Sequence, residues 1–211
     1  MTPATSAIIL FVKQPVAGQV KTRLGAQIGL AAAAEAYRLL AERVIDRLPR
    51  EIPVRVCFAP ADAETSIRTW LESRVAPGAI FQPQCEGDLG TRMAGAFHDV
   101  FAARCQRVAI IGSDCIEIDS DFFAQAFAEL EHADVVIGPS EDGGYYLLAL
   151  KRDIPELFRD IAWSTERTLR ETITRIESLG LTHASLPMRQ DVDTAEEWRE
   201  AQPLLAASPP G

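Results

Sequence analysis

The chain has 211 residues, and its 30 acidic residues outnumber its 21 basic ones to give a formal net charge of −9. This length is enough for one large α/β domain with a full core, and the acidic balance argues against nucleic acid or an anionic membrane as the main partner. Because we find neither an apolar run long enough to cross a bilayer nor a signal-like segment before the first predicted strand, we expect a cytoplasmic protein.

The first predicted strand leads into a loop rich in basic residues. The apolar run from Ala7 to Val12 predicts a strand buried on both faces, as in a parallel sheet. The notable residues of the following loop are Lys13, Pro15, Gly18, Lys21, Thr22 and Arg23. A strand, a loop with two or three cations and the start of a helix together form a common arrangement for binding phosphate. The alternative, a βα turn with merely solvated cations, stays open.

Two familiar phosphate-binding motifs are excluded at this loop. The segment from Gly18 to Thr22 resembles the end of a Walker A motif, but Val20 precedes Lys21 where that motif needs a glycine. No Gly-x-Gly-x-x-Gly pattern follows the strand either. The sequence therefore predicts neither a P-loop ATPase nor a dinucleotide-binding fingerprint.

Predicted helices and strands alternate along the rest of the chain. Helices are predicted from the long pattern after Arg23, whose apolar positions lie at 33–48, and from the patterns at 61–71, at 86–101, from about 120 and after 194. Another helix is predicted from a cap at Ser164 or Thr165 to Gly180. Strands are predicted at 54–59, 79–82, 108–111, 134–138, 145–150 and 184–186. The alternation predicts a three-layer αβα arrangement around a mostly parallel sheet. We assign residues 1–211 to a single domain, with residues 206–211 as a frayed tail.

The connection through Gly143 and Gly144 is too short for a crossover helix. The two strands that it joins are therefore expected to be antiparallel or offset, which makes the sheet mixed. The glycine pair either allows a ligand to approach the backbone closely or merely makes a tight turn. The sequence leaves both interpretations open.

Carboxylates collect at the predicted carboxyl ends of several strands, where ligands bind in open α/β sheets. Asp114 directly follows a buried strand, Glu141 and Asp142 lie in a loop between two others, and Asp191 and Asp193 follow the last one. Each could be a turn or cap residue. Carboxylates that converge on a cationic loop would repel one another unless a cation lay among them, and Mg²⁺ prefers one or two carboxylates together with substrate phosphates.

Six segments, taken in order, resemble a known family: FVKQPVAGQVKTRL, GDLGTRM, IIGSDC, GPSEDGGYYLL, AWSTERTL and DVDTAEEW. They span about residues 7 to 200 and resemble uncharacterised bacterial glycosyltransferase-like proteins of the nucleotide-diphospho-sugar transferase (GT-A) superfamily. The first segment is also similar to the start of phospholactate guanylyltransferases, which join a nucleotide to a small phosphorylated acid. The resemblance implies a Rossmann-like GT-A fold of the α/β class, and it is much less specific for the reaction.

The resemblance also implies roles for individual residues. Asp114 and Asp193 would bind a divalent metal, Mg or Mn, and Lys21, Arg23 and Asp114 would act in catalysis. The implied nucleotide-binding residues are Lys13, Pro15, Gly18, Lys21, Thr22, Arg23, Asp88, Gly90 and Arg92. The implied acceptor-binding residues are Glu141, Asp142, Gly143, Gly144 and Tyr145. The chain departs from the family pattern at Ile116 and Ala195, where the family usually has proline.

These observations predict a Mg²⁺-dependent transferase that acts on a nucleoside triphosphate or a nucleotide sugar, with a small-molecule acceptor. Nucleotidyl transfer to a phosphorylated or oxyanion acceptor is slightly favoured, because such reactions need mainly positioning and charge neutralisation. Glycosyl transfer from a nucleotide sugar is the alternative within the enzymes, and a nucleotide-binding module without catalysis is the alternative outside them. The sequence does not indicate whether the protein is a monomer or an oligomer.

Overall fold

The computed structural model describes residues 6–206. Within this range seven strands form one sheet: β1 (Ser6–Lys13), β2 (Val54–Ala59), β3 (Ile80–Pro83), β4 (Arg107–Ile111), β5 (Val135–Pro139), β6 (Tyr145–Leu150) and β7 (His183–Ser185). Their order is β3-β2-β1-β4-β6-β5-β7. Strand β6 runs antiparallel to β4 and β5, and the remaining neighbouring pairs are parallel. The predicted mostly parallel mixed sheet is therefore confirmed, and of the two arrangements expected at the Gly143-Gly144 connection the structure has the antiparallel one.

Helices cover both faces of the sheet. Their bounds are α1 (Thr22–Ile28), α2 (Leu30–Asp46), α3 (Glu64–Leu71), α4 (Leu89–Ala102), α5 (Ser120–Glu129), α6 (Thr168–Ser178) and α7 (Ala195–Ala206), with short 3₁₀ turns at Ala61–Ala63 and Pro155–Phe158. Apolar residues of α2, α3 and α5 form one core layer with the sheet, and those of α4 and α6 form the other. The predicted three-layer αβα architecture is confirmed.

Strand β1 lies in the middle of the sheet, between β2 and β4. Its side chains alternate between the two core layers, with Ile8 and Leu10 facing one layer and Ile9 facing the other. All three are fully buried, which explains why the strand reads as a continuous apolar run. Its carboxyl end at Lys13 carries the basic loop to the centre of one sheet edge.

Two predicted helices begin or end differently in the structure. The helical pattern after Arg23 is divided into α1 and α2 at Gly29, whose φ of 93° is a conformation that other residues rarely adopt. Helix α6 begins at Thr168, and neither Ser164 nor Thr165 caps it. Ser164 has a φ of 60°, and the Thr165 hydroxyl donates to the carbonyl of Ala162. Both residues thus belong to a separate turn before the helix.

The predicted tail falls at the end of the described range. Ala206 is the last residue of α7, and residues 207–211 lie outside the described residues. Among residues 6–206, no helix combines the length and the apolar character that crossing a membrane requires. The cytoplasmic location and the single domain remain predictions.

Candidate functional site

A cavity of about 690 Å³ lies at the sheet edge where the parallel strands end. It opens above the carboxyl ends of β1 and β4, which is the edge where open α/β sheets bind their ligands. Eight of the residues predicted to function line this cavity together: Lys13, Lys21, Thr22, Arg23, Asp88, Arg92, Asp114 and Asp193. We therefore take this cavity as the candidate active site.

A second cavity, of about 490 Å³, lies at the opposite edge of the sheet. Ser6 and Arg107 line it, and both are the first residues of their strands. None of the residues that the sequence assigned to phosphate, metal or acceptor binding lines it. The concentration of charged groups and the strand direction both favour the first cavity.

Lys21 lies at the centre of the candidate site. Its Nζ is 2.8 Å from Asp114 Oδ2 and 2.7 Å from Asp193 Oδ1, and only 5% of its side chain is exposed. Burial by itself would lower the pKa of Lys21, but the attraction of the two carboxylates outweighs it and raises this pKa above its ordinary value. The lysine is therefore a fixed positive charge between the two predicted metal ligands.

The backbone holds Lys21 in this position in a left-handed conformation, with φ 44° and ψ 49°. Such a conformation of a non-glycine residue costs about 1–3 kcal/mol and persists only where the surrounding contacts demand it. The two ion pairs of the Lys21 side chain are the contacts that hold it in this conformation. The charge of Lys21 is therefore directed at the carboxylates, which the position of Lys21 in the basic loop did not predict.

The other cations of the loop are more accessible. The Arg23 side chain is 75% exposed, and its Nη1 is 4.0 Å from Asp193 Oδ2, a weak contact in water. Lys13 is exposed at the end of β1 and lines the cavity. Both side chains are thus available to an anionic ligand, whereas Lys21 is already paired.

Asp191 is a third carboxylate at this edge, which the sequence placed here but did not assign to the metal. Its Oδ1 is buried and has no hydrogen-bond partner among the described residues. Burial and the nearby charge of Asp114 raise the pKa of Asp191 above its ordinary value. Its spacing two residues before Asp193 was the available signal, because alternate residues of an extended segment lie on the same side.

The residues present fit a divalent cation. Asp114 and Asp193 offer carboxylate oxygens to a single positive charge, and Asp191 contributes the orphaned buried oxygen beside them. Hard cations such as Mg²⁺ take oxygen ligands of this kind. Within residues 6–206, no group of three His, Cys, Asp or Glu side chains is already arranged as a metal site, which agrees with Lys21 lying between two of the carboxylates.

Tyr37 is a site residue that sequence analysis missed, because it reads as one apolar position of the α2 pattern. Its buried hydroxyl accepts a hydrogen bond from the Lys13 N–H at 2.8 Å and lies 2.8 Å from the Ser113 hydroxyl. Burial raises the pKa of Tyr37 to about 12, so the phenol stays protonated. Tyr37 thus ties the basic loop after β1 to the Ser113-Asp114 turn after β4.

Uncharged side chains also line the cavity. Phe11 and Leu89 supply apolar surface there, together with the side chain of Gln84. The Gln84 amide donates to the Cys57 carbonyl at 2.9 Å, and its side-chain oxygen accepts no hydrogen bond within the described part of the chain. A flat ligand group with a donor on its edge would complement this surface. Phe11 and Leu89 lie in two of the segments that resemble the family, FVKQPVAGQVKTRL and GDLGTRM, whereas Gln84 lies in none of them.

Asp88 and Arg92 have local partners in the structure. Asp88 caps α4, accepting from the Thr91 N–H at 2.8 Å, and Arg92 Nε donates to the Gly87 carbonyl at 2.9 Å. Both nevertheless line the cavity. Their local hydrogen bonds fix the direction of side chains that a ligand could contact.

Three predicted nucleotide-binding residues, Pro15, Gly18 and Gly90, do not line the cavity. A methyl group on Gly90 would lie 2.3 Å from Nε1 of Trp163, so this glycine provides space for an indole ring. Gly18 has a φ of 80° in the loop before α1, a conformation that favours glycine. The structure thus supplies packing and backbone reasons for both glycines.

The predicted acceptor loop, Glu141 to Tyr145, also lies outside the lining of this cavity. Asp142 Oδ1 accepts from the Ser140 hydroxyl at 2.6 Å and from the Gly144 N–H at 2.9 Å, which closes the turn on itself. Gly143 has a φ of 85°, and a methyl group there would lie 2.3 Å from the Glu166 carbonyl oxygen. Tyr145 packs in the core layer of α4 and α6. The close approach at Gly143 is therefore to protein backbone.

This sheet order, with a basic loop after the first strand and carboxylates at the same edge, defines a protein of the nucleotide-diphospho-sugar transferase class. The chain belongs to the bacterial family described as "Uncharacterized protein conserved in bacteria (DUF2064)", whose model matches residues 46–165. Comparison with curated proteins found no match. The resemblance deduced from the six sequence segments is confirmed at the level of family and fold.

Solved structures support this classification. The chain is 31% identical to a proposed nucleotide-diphospho-sugar transferase from Desulfovibrio desulfuricans, with a TM-score of 0.84 over 96% of this chain and 97% of that one. A cytidylyltransferase from Leptospira borgpetersenii is 13% identical, with a TM-score of 0.59 over 92% and 84% of the two chains. The Rv0371c protein of Mycobacterium tuberculosis, solved with manganese, is 12% identical, with a TM-score of 0.53 over 93% and 98%. The latter two show the shared fold alone.

Proposed function

We propose that this protein is a nucleotidyltransferase that moves a nucleoside monophosphate from a nucleoside triphosphate to a small phosphorylated or oxyanion acceptor. The observation that carries the proposal is the pair Asp114 and Asp193, held around a buried cation at the carboxyl edge and flanked by accessible basic side chains. In the reaction an acceptor oxygen attacks the α-phosphorus, the bond from that phosphorus to the bridging oxygen breaks, and pyrophosphate leaves.

The chain's own residues would bind and neutralise the phosphates. Lys13 and Arg23 are exposed in the cavity and would pair with phosphate oxygens, since charge-assisted hydrogen bonds of this kind are among the strongest in proteins. Tyr37 would hold the Lys13 backbone in register with the Asp114 turn. Positioning and charge neutralisation of this kind supply most of the catalysis in phosphoryl transfer.

Asp114 and Asp193 would hold a divalent cation, with Asp191 beside them, and the cation would neutralise charge on the transferred phosphate. Lys21 occupies the same carboxylate oxygens in this structure, so the cation and the Lys21 ammonium compete for them. A lysine released from the carboxylates would lie near the phosphates and could stabilise the departing pyrophosphate. This gives Lys21, Arg23 and Asp114 the roles expected from the sequence.

The base would lie against the uncharged side chains of the cavity lining. Phe11 and Leu89 would contact its faces, and the free side-chain oxygen of Gln84 would accept a hydrogen bond from a donor on its edge. An exocyclic amine or ring N–H provides such a donor. Gln84→Glu should then alter the preference among bases, because it keeps an acceptor but loses the amide that holds the side chain to Cys57.

Glycosyl transfer from a nucleotide sugar is a second candidate. The Desulfovibrio relative, which is 31% identical over nearly the whole chain, is described as a nucleotide-diphospho-sugar transferase. The same carboxylates and basic loop would then hold the diphosphate of the donor. The two candidates differ in the bond that breaks, because nucleotidyl transfer releases pyrophosphate and glycosyl transfer releases a nucleoside diphosphate.

A donor screen tests the proposal. Each common nucleoside triphosphate and nucleotide sugar is incubated with Mg²⁺ or Mn²⁺ and a mixture of phosphorylated small acids, and both leaving groups are measured. Release of pyrophosphate that needs an acceptor supports nucleotidyl transfer, and release of a nucleoside diphosphate only from nucleotide sugars would replace it with the second candidate.

Asp114→Asn and Asp193→Asn test the metal assignment by calorimetry with Mg²⁺ and a nucleoside triphosphate. Each amide keeps the side-chain shape but loses the charge, so both variants should bind the Mg²⁺–nucleotide complex more weakly. Glu131→Gln makes the same chemical change at the opposite sheet edge and serves as the matched control. Unchanged affinity in both aspartate variants would remove the metal from the proposal.

A further inference from the structure

The turn that precedes α6 is fixed by several contacts at once. The Ala162 N–H donates to Glu171 Oε2 at 2.7 Å, and the Thr168 hydroxyl lies 3.1 Å from the Ala162 carbonyl oxygen. From the other side, the Leu169 N–H donates to the Gly143 carbonyl at 2.8 Å. The loop predicted to bind the acceptor thus supports this turn from beneath.

Trp163 anchors the same turn to the first turn of α4. Its ring stacks on Phe158, with 6.3 Å between the ring centroids and 27° between the planes. Its Nε1 lies so close to Gly90 that even a methyl group there would clash. The turn therefore has little freedom to change its conformation, and the residue after Trp163 is presented in a defined position.

That residue is Ser164, which lines the candidate active site and is exposed to it. Its φ of 60° is a left-handed conformation that serine rarely adopts. Within the described part of the chain, neither its hydroxyl nor its backbone N–H has a hydrogen-bond partner. Left-handed non-glycine residues cluster at functional sites when the surrounding structure enforces them, and Lys21 is a second example in the same cavity.

We propose that Ser164 is a substrate-binding residue whose hydroxyl donates a hydrogen bond to an anionic phosphate oxygen of the ligand in this cavity. The proposal rests on the nucleotidyltransferase function proposed above, and the oxygen can belong to the donor or to the phosphorylated acceptor. The charge of the cavity favours a phosphate oxygen, because Lys13, Arg23 and Arg92 all line the cavity that Ser164 faces. The predicted acceptor loop, Glu141 to Tyr145, then contributes to binding indirectly, because Gly143 supports the turn that carries Ser164.

Two variants test the proposal by calorimetry. Ser164→Ala removes the hydroxyl and keeps a side chain in the left-handed conformation, and Ser164→Gly removes the hydroxyl and relieves the conformation. The probes are ATP, CTP, GTP and UTP with Mg²⁺, and then inorganic phosphate added to protein saturated with the tightest nucleotide. A hydrogen bond to a charged group corresponds to about ten- to a hundredfold in affinity, so both variants should lose about that factor for one probe. Weaker binding of the nucleotide would assign the phosphate oxygen to the donor. Weaker binding of inorganic phosphate alone would assign it to the acceptor.

Arg104→Gly and Asp160→Gly are matched controls for the backbone change. Both residues have left-handed backbones, with φ of 68° and 59°, and neither lines the cavity. We expect all three glycine variants to melt at or above the wild-type temperature, and only Ser164→Gly to bind the probe more weakly. Wild-type affinities for every probe in both Ser164 variants would overturn the proposal and leave the proposed function intact. If the wild-type protein binds no nucleotide, the proposed function is overturned. The Ser164 proposal then falls as well, unless the wild-type protein binds inorganic phosphate and both Ser164 variants bind it more weakly.

Discussion

Replacement of Lys21 by methionine tests the central feature of the site, a buried ammonium that holds two carboxylates together. Methionine is unbranched and of similar length, so it fills the nearly inaccessible space of the lysine side chain without its charge. The variant loses two charge-assisted hydrogen bonds, of 2.8 and 2.7 Å, and leaves Asp114 and Asp193 facing each other without compensation.

The magnitude follows from the burial of the three side chains. A hydrogen bond to a charged group contributes about 1.5–3 kcal/mol. The aspartates are 33% and 35% exposed, so water compensates part of their loss, and the lower half of that range applies to each bond. Two such bonds are lost, so Lys21→Met should lower the free energy of unfolding in metal-free buffer by about 3–4.5 kcal/mol. Urea unfolding in the presence of a chelator measures this loss.

Added Mg²⁺ should act in opposite directions on two properties of the variant. Because the ammonium no longer competes for the carboxylates, Mg²⁺ alone should bind Lys21→Met more tightly than wild type and should restore much of the lost stability. The affinity for a nucleoside triphosphate should fall, because one phosphate cation is missing. In the double variant with Asp114→Asn, part of the stability should return without metal, since one of the repelling charges is gone.

Two results would refute this reasoning. Stability within about 0.5 kcal/mol of wild type would show that the ion pairs contribute little beyond a surface contact. Mg²⁺ affinity that is no higher in Lys21→Met than in wild type would show that the lysine and the cation do not share the carboxylates. Arg68→Met removes an arginine whose ion-pair partners on and just after α3, Glu64 and Glu72, are both exposed, and it serves as a control.

Three further predictions concern residues around the site. Tyr37→Phe leaves the part-buried Lys13 N–H without its acceptor, so it should cost about 1–2 kcal/mol in urea unfolding and weaken triphosphate binding in calorimetry. Normal binding would mean that the bridge is only structural. Gly143→Ala gives a residue with a left-handed backbone a methyl group that would lie against the Glu166 carbonyl. It should lower the melting temperature by the equivalent of about 1–3 kcal/mol. An unchanged melting temperature would contradict the contact. Glu42→Gln removes the charge of a buried carboxylate that accepts hydrogen bonds from Arg38, Arg74 and the Trp70 indole N–H. It should lower the free energy of unfolding by about 2–3 kcal/mol without changing nucleotide affinity. Altered affinity would show that this network reaches the cavity.

The sequence by itself determined the elements and the class of the fold. The strands at Val54–Ala59 and Tyr145–Leu150 have the bounds that their apolar patterns predict. The alternation of strands with helices predicted the mostly parallel sheet. The shortness of the Gly143-Gly144 connection predicted that the strands it joins are antiparallel or offset, and they are antiparallel. These features depend on residues close together in the chain, whose hydrophobic period and turn chemistry can be read directly.

Other local features needed the structure, because the sequence allowed more than one solution. Gly29 divides the expected helix into α1 and α2, and Ser164 and Thr165 form a turn where a helix cap was expected. A glycine inside a helical pattern is often tolerated, and a serine before a helix is often its cap. Contacts from distant segments, such as Gly143 beneath the turn, decided these cases.

The arrangement of the site was decided by tertiary structure alone. Lys21 pairs with Asp114 and Asp193 across 93 and 172 residues of sequence, and Tyr37 reaches Ser113 across 76. The sequence predicted that basic and acidic residues would collect at one sheet edge, but not which lysine would lie between which carboxylates. Local patterns fix where each strand ends, whereas the order of the strands in the sheet fixes which ends are neighbours. That order is a property of the packed core as a whole, so it appears only when the chain is folded.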